Sequence, residues 1–133
     1  MSKPTLLDTN VLIYHLGGHP VYGKKAQQIM TELLTHELVI SVITEVEFLF
    51  KCTHIEANIF RVLFPQDSIL PISESISARL PDVCLRGPQR VKIPDALIAA
   101  TALVHGLPLL TFDHDFLSIP ALTFHPLSPV FKP

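Results

Sequence analysis

The sequence contains no tryptophan, only two cysteines and no long apolar run. Cys52 and Cys84 stand apart, without the paired spacing of a zinc or redox motif, so we expect reduced thiols and a cytoplasmic protein. The longest apolar stretch, 96–104, is much shorter than the roughly 18 residues of a membrane span. Asp8 and Asn10 interrupt the apolar character of the N-terminus, which argues against a signal peptide. We therefore expect no association with a membrane.

An excess of one charge is also absent. Ten basic and 12 acidic residues give a formal net charge of −2. Because proteins that coat nucleic acid by neutralising its phosphates are usually basic, this balance counts against a general DNA-coating role. It counts less against an enzyme whose acids hold cations, since a bound metal reverses the local field. The nucleophile elbow of serine hydrolases, the P-loop, the dinucleotide-binding glycine motif and the HExxH zinc motif are missing too.

The chain is 48% hydrophobic, and its apolar residues form short strand-like runs alternating with helical patterns. The predicted strands are 5–7, 38–41, 69–72, 107–111 and 121–124. The predicted helices are 11–16, 22–34, 44–52, 55–63, 95–104 and 113–117, with a further helical stretch from Ser73 or Ser75 that Pro81 disturbs. Such alternation is typical of a parallel sheet covered by helices on both faces. We predict a single α/β domain over 1–133, with a mostly parallel sheet of about five strands and 69–72 at an edge because of Pro71.

Four acidic residues follow predicted strands or occupy the first turns of predicted helices: Asp8, Glu47, Asp95 and Asp113. In open parallel sheets, ligands and catalytic groups collect outside the carboxyl ends of the strands. Converging carboxylates repel one another unless a cation neutralises them. Because dense oxygen ligands suit Mg²⁺ or Mn²⁺, these acids predict a divalent metal site.

Each acid also has a structural interpretation as a helix cap. Asp8 or Asn10 could cap the first helix, and Asp113 or Asp115 the last short one. Asp95 would favourably meet a helix dipole beside Pro94. Thr44 and Glu47 fit a capping box, which favours Glu47 over the neighbouring Glu45 as the second acid, although both stay open.

The sequence resembles the PIN-domain family, and within it the VapC-like toxins of toxin–antitoxin pairs. The motifs that carry the resemblance are LDTNVLI at 7–13, SVITEVE at 41–47, PDALIAATA at 94–102 and LTFDHDF at 110–116. The resemblance implies a three-layer α/β/α fold and a Mg²⁺- or Mn²⁺-dependent endoribonuclease. It assigns the catalytic and metal-binding acids to Asp8, Glu47, Asp95 and Asp113, with Asp115 as a further metal ligand. Asn10, Thr44 and Thr111 would be supporting polar groups.

The resemblance also implies an RNA substrate, a homodimer and an antitoxin partner bound in an apolar groove. Phe48, Phe50 and Phe60 are candidates for that groove or for the core. A housekeeping PIN nuclease or an RNA-binding PIN-like module without an antitoxin is the alternative function. Phe112 stands where relatives often carry a polar or basic residue, which leaves the substrate contacts there open.

Basic residues before the predicted helix 95–104 are candidates for RNA phosphate contacts or ordinary surface charges: Arg86, Arg90 and Lys92, with Lys24 and Lys25 elsewhere. A phosphotransferase with Asp8 as its nucleophile is disfavoured. Asn10 stands where a second acid is needed, and no lysine follows the penultimate strand.

Overall fold

A computed structural model describes residues 3–33, 36–84 and 90–128 of the protein. The first half contains β1 (Thr5–Leu7), α1 (Thr9–Leu16), α2 (Gly23–Glu32), β2 (Leu38–Ser41), α3 (Val42–Lys51) and α4 (His54–Leu63). The second half contains β3 (Ile69–Leu70), α5 (Glu74–Ala78), α6 (Leu80–Val83), α7 (Ile93–His105) and β4 (Leu109–Leu110). Short 3-10 helices span Gln66–Ser68 and His114–Ser118. Within the covered ranges, no helix is long and apolar enough to cross a membrane.

The four strands form one parallel sheet in the order β3-β2-β1-β4. Leu6 of the central strand β1 pairs with Val39 on one side and Leu109 on the other. Strand β3 lies at an edge, as Pro71 predicted. Because all four strands run the same way, their carboxyl ends share one edge of the sheet.

The predicted strand 121–124 is reduced to a single bridge between Phe124 and Leu109. Ala121 has a left-handed backbone (φ 65°), which an extended strand does not accommodate. Just past the end of β4, the Thr111 amide donates to the Ser128 hydroxyl at 3.3 Å, so this amide is not available to a neighbouring strand. The sheet therefore has four strands and a bridge where about five strands were predicted.

Residues along each strand alternate between two hydrophobic cores. Leu6, Val39 and Leu109 pack in one core, which α5, α6 and α7 help to form through residues such as Ile76, Val83, Ile98 and Ala99. Their neighbours Leu7, Ile40 and Leu110 pack in the other core, with residues of α1 to α4 such as Val11, Ile29, Phe48 and Phe60. The fold is therefore a three-layer α/β/α arrangement, as the alternating pattern predicted.

Two helix boundaries bear on the site. Helix α7 has Lys92 at its N-cap and Pro94 in its first turn, and it ends at Gly106, whose φ of 64° suits glycine. Helix α3 begins at Val42, and its N-cap is Ser41, whose hydroxyl accepts a hydrogen bond from the Ile43 amide at 3.0 Å.

The predicted capping box of Thr44 and Glu47 is therefore wrong. The two residues lie inside α3, after its first residues, so neither can cap it. A capping box does occur one helix later, where Thr53 and Glu56 bond reciprocally at the start of α4.

Candidate active site

Asp8 occupies the carboxyl end of the central strand β1. Its side chain is buried, with 2% of its surface exposed. The backbone conformation is that of an N-cap, yet the side chain makes no capping hydrogen bond to α1. Instead, Asp8 Oδ2 accepts a hydrogen bond from Thr111 Oγ1 at 2.9 Å. The carboxylate is thus oriented toward the end of β4, and the cap interpretation does not explain its burial.

Thr111 connects two of the predicted acids. Its hydroxyl donates to Asp8 and accepts from the Asp113 amide at 2.9 Å, and its side chain is fully buried. Because β1 and β4 are adjacent and parallel, a residue one step past β4 lies beside the residue one step past β1. The register of two strands therefore brings together residues that are more than 100 positions apart in sequence.

Burial makes the negative charge on Asp8 costly. It raises the pKa of Asp8 from 3.8 to about 7, against the lowering effects of the Thr111 hydrogen bond and the Thr9 amide. The negative charges of Asp95 and Asp113 raise the pKa further. A buried carboxylate beside other acids, with no basic side chain among the causes, is the electrostatic pattern that a cation relieves.

Asp95 belongs to the same electrostatic group. It lies half-buried in the first turn of α7, and its pKa is raised to about 6, first by burial and then by the charge of Asp113. Glu47 and Asp115 also raise the pKa of Asp95, whereas Lys92 lowers it. Asp95 therefore lies within electrostatic range of the other three acids of the predicted quartet and of Asp115, and Asp8 lies within range of Asp95 and Asp113.

Glu47 is held by a threonine that the sequence did not single out. Thr9 Oγ1 lies 2.7 Å from Glu47 Oε1 and 3.0 Å from Thr44 Oγ1. A hydroxyl has one hydrogen and a carboxylate only accepts, so Thr9 donates to Glu47 and accepts from Thr44. This chain of contacts joins α1 to α3. The one indication in the sequence that Thr9 belongs to the site was its position between Asp8 and the polar Asn10.

Glu45 is engaged elsewhere. Its carboxylate forms an ion pair with Arg61 of α4, and 16% of the Glu45 side chain is exposed. Glu45 is not among the residues whose charge raises the pKa of Asp8 or Asp95. The sequence left open which of the two glutamates is the second acid. In the structure, Glu45 pairs with Arg61, whereas Glu47 lies within electrostatic range of Asp95.

Asp113, Asp115 and Asn10 line an open cleft of about 390 Å³. Asp113 Oδ1 accepts a hydrogen bond from the Asp115 amide at 2.8 Å, so Asp113 does cap the short helix His114–Ser118, as its structural interpretation predicted. A carboxylate has two oxygens and about four lone-pair positions, so this bond leaves acceptor capacity facing the cleft. His114 is exposed and also lines the cleft.

The donor chemistry fits a hard divalent cation. All the candidate ligands are carboxylates, as Mg²⁺ and Mn²⁺ prefer, and burial together with neighbouring acids raises the pKa of Asp8 and of Asp95. Within the described residues, no three His, Cys, Asp or Glu side chains converge closely enough to count as an assembled metal-binding cluster. The acids interact electrostatically, and their oxygens would have to move closer together to coordinate one metal ion.

The remaining predicted contacts divide into three groups. Lys92 lies near Asp95 at the start of α7, and Arg90 is exposed just before it, whereas Arg86 lies outside the described residues. Lys24 and Lys25 lie on α2. Among the phenylalanines proposed for an apolar groove, Phe48 and Phe60 are buried in the core, which leaves only Phe50, 88% exposed.

Comparison with known proteins gives the class of the protein. The sequence matches the family model of the PIN domain over residues 5–122. The chain therefore belongs to the PIN domain family. It is also 49% identical, over 43 residues, to ribonuclease VapC21 of Mycobacterium tuberculosis. That match covers 32% of this chain and 31% of VapC21, about a third of the relative's length.

Solved structures resemble the whole fold. A chain of the toxin–antitoxin complex from Klebsiella pneumoniae superposes with a TM-score of 0.69 and 32% identity, covering 90% of this chain and 95% of that one. A chain of DNA-bound VapBC from Salmonella typhimurium gives 0.74 at 19% identity, covering 93% and 98%. The second likeness concerns the fold alone.

Proposed function

We propose that the chain is a Mg²⁺- or Mn²⁺-dependent endoribonuclease and the toxin of a toxin–antitoxin pair. The observation that carries the proposal is Asp8, a buried carboxylate whose pKa is raised to about 7 beside Asp95 and Asp113. Membership of the PIN domain family and the partial likeness to ribonuclease VapC21 support hydrolysis of RNA.

The proposed metal ligands are Asp8, Glu47, Asp95, Asp113 and Asp115. A divalent cation held there supplies a Lewis acid and a bound water of lowered pKa for phosphodiester hydrolysis. The protein orients its acids through hydroxyls, since Thr111 holds Asp8 and Thr9 holds Glu47. We propose Glu47 as the second acid because Glu45 is paired with Arg61. Asn10, Thr44 and Thr111 support the site, and Arg90 and Lys92 contact RNA phosphates.

The test is cleavage of a mixed panel of tRNA and labelled oligonucleotides by purified protein. We expect cutting with Mg²⁺ or Mn²⁺, no cutting with EDTA, and a loss of at least about 100-fold in Asp8→Asn. Asp67→Asn is the matched control, because Asp67 is an exposed acid in the 3-10 helix before β3, at the amino end of the sheet. Equal activity of the Asp8 variant and wild type would refute the proposal.

We further propose a protein partner for an exposed apolar surface on α3 and α4. Its large side chains are 41% to 88% exposed: Val46, Phe50, Ile55, Ile59, Val62 and Leu63. Large apolar side chains exposed in such number on two helices are typical of protein interaction sites. The Klebsiella pneumoniae relative comes from a toxin–antitoxin complex, which supports an antitoxin, with a second copy of this chain as a further occupant.

A further inference from the structure

Four aromatic rings lie together beside the acids. Tyr14 comes from α1, His19 and Tyr22 from the loop before α2, and Phe112 from the residue between Thr111 and Asp113. The centroids of Tyr14 and Tyr22 are 5.1 Å apart with planes inclined by 24°. Phe112 meets Tyr14 edge-on, with 5.3 Å between the ring centroids. The centroid of Phe112 lies 5.7 Å from that of Tyr22. These distances are typical of attractive ring pairs.

The cluster is held in place yet remains accessible. His19 Nδ1 accepts the amides of Val21 and Tyr22 at 3.0 and 2.9 Å, which fixes the loop that carries Tyr22. The His19 ring also contacts both tyrosines. Tyr22 nevertheless has 45% of its surface exposed, and Tyr14 and Phe112 are half-buried. Rings that served only to fill a core would not retain this much contact with water.

The rings and the acids share one cleft. The same cavity of about 390 Å³ is lined by Asn10, Tyr14, Tyr22, Phe112, Asp113 and Asp115. The pKa of Tyr14 is raised by burial, then by Tyr22 and by the charges of Asp8 and Asp113, so its hydroxyl lies within electrostatic range of the acids. The volume falls in the range of roughly 300–1,000 Å³ typical of small-ligand sites.

The chemistry of the two sides of the cleft differs. Its described lining contains no lysine or arginine to hold a phosphate, and its one histidine, His114, stands between Asp113 and Asp115 in the sequence. A nucleobase is uncharged and has a π-face, so it can stack on a tyrosine or phenylalanine without facing repulsion from the acids. A base paired in a duplex keeps both faces covered by its neighbours, whereas an unpaired base is free to stack.

We propose that Tyr22, with Tyr14 and Phe112, stacks an unpaired nucleobase of the RNA next to the phosphate at the acidic site. This inference rests on the proposed ribonuclease function. It makes the three rings substrate-binding residues and makes the substrate single-stranded at that nucleotide.

The experiment measures binding in an Asp8→Asn background, with Mg²⁺ present, so that the strand is not cut. Fluorescence anisotropy compares a short labelled single-stranded RNA with the same ribose-phosphate strand lacking its bases. Tyr22→Leu removes the ring while keeping an apolar side chain, and Tyr22→Phe is the matched control that keeps the ring. Thermal unfolding of each variant checks the fold, and Phe112→Leu is a second variant.

We expect the Asp8→Asn protein, with all its rings present, to bind the base-bearing strand about tenfold more tightly than the abasic strand. Tyr22→Leu should remove most of that preference without changing affinity for the abasic strand, and Tyr22→Phe should retain it. If Tyr22→Leu does not fold, Phe112→Leu decides by the same criterion.

Two further outcomes separate this inference from the ribonuclease proposal. An unchanged preference in the folded leucine variants would overturn the stacking role, while wild-type cleavage would still support the nuclease. If the wild-type protein cuts no RNA and the Asp8→Asn protein binds neither strand, the proposed function itself fails and the inference fails with it.

Discussion

Replacing Asp8 by asparagine should stabilise the metal-free protein at neutral and alkaline pH while abolishing its cleavage of RNA. The carboxylate is 2% exposed, and asparagine has almost the same shape without the charge. The amide oxygen of asparagine can accept the hydrogen bond that Thr111 Oγ1 donates to Asp8 Oδ2. The substitution therefore removes the buried charge and retains the contact.

The direction of the pH dependence follows from the pKa of Asp8. Burial raises that pKa from 3.8 to about 7, so the folded state binds the proton more tightly than the unfolded state does. Stability is therefore greatest below the unfolded value, falls as the pH rises from about 4 to about 7, and changes little above that. The asparagine variant lacks this loss, so the two proteins should diverge over the same interval.

The magnitude comes from the size of the pKa shift. A shift from 3.8 to about 7 corresponds to about 4 kcal/mol of stability lost by the wild type above pH 7. This is an upper bound, because Asp95, whose pKa is also raised, shares the cost. We expect about 2–4 kcal/mol, or roughly 10 °C in melting temperature, in favour of Asp8→Asn at pH 8.

The assay is thermal and urea unfolding of both proteins in EDTA at pH 5 and pH 8, followed by circular dichroism. The change in the stability difference between the two pH values isolates the charge, because any packing effect of the amide is present at both. Asp67→Asn, which removes an exposed acid, should show no such change. An Asp8→Asn difference that is the same at pH 5 and pH 8 would refute the reasoning. Adding Mn²⁺ should then stabilise the wild type more than the variant, since only the wild type retains the full acid set.

Two further predictions concern the second acid and the apolar surface. Glu47→Gln should lower RNA cleavage by about 100-fold or more, whereas Glu45→Gln should keep wild-type cleavage and lose at most about 1 kcal/mol of stability with its Arg61 ion pair. The reverse pattern in the cleavage assay would make Glu45 the second acid. Phe50→Asp should weaken association with an antitoxin or a second copy while leaving the melting temperature within a few degrees, because Phe50 is 88% exposed. Light scattering with and without the partner measures this, and unchanged association would exclude this surface.

Much of the architecture could be predicted because its causes are local. Short apolar runs alternating with helical patterns indicated the parallel sheet, and the strands at 5–7 and 38–41 have the predicted bounds. The predicted strand 121–124 has apolar residues that suit a strand, but Ala121 has a left-handed backbone and only one bridge, from Phe124 to Leu109, forms. Beyond that bridge, the Thr111 amide bonds to Ser128 and the pairing does not continue. Pairing partners, rather than hydrophobicity, decide where a sheet ends.

The candidate site likewise combines features with local causes, which can be predicted, and features that depend on contacts between distant residues. The positions of Asp8 and Asp113 near the carboxyl ends of β1 and β4 could be predicted because polar residues follow buried strands. Glu47 was chosen for a capping geometry that the structure contradicts, since Ser41 caps α3. The contact that holds Glu47 comes from Thr9, 38 positions away, and depends on how α1 packs on α3. A helix-start pattern contains no information about such a contact.

The aromatic cluster could not be predicted at all. Tyr14, His19 and Tyr22 are near one another in sequence, but Phe112 joins them only because β4 pairs beside β1. Each ring on its own is indistinguishable from a core residue. For Phe48 and Phe60 the sequence left two alternatives open, a surface groove or the core, and the structure buries both.

Hydroxyl groups, rather than basic side chains, hold two of the acids, and this affects how strongly the site can bind a cation. Thr111 orients Asp8, and Thr9 orients Glu47, each through one neutral donor. A lysine or arginine in either place would fix the carboxylate equally well but would also cancel its charge, and a divalent cation would then gain little by binding. A hydroxyl fixes the position of the oxygen and leaves the charge in place. Among the described residues, the protein thus orients Asp8 and Glu47 without pairing either with a basic side chain, and this combination supports the proposed metal site.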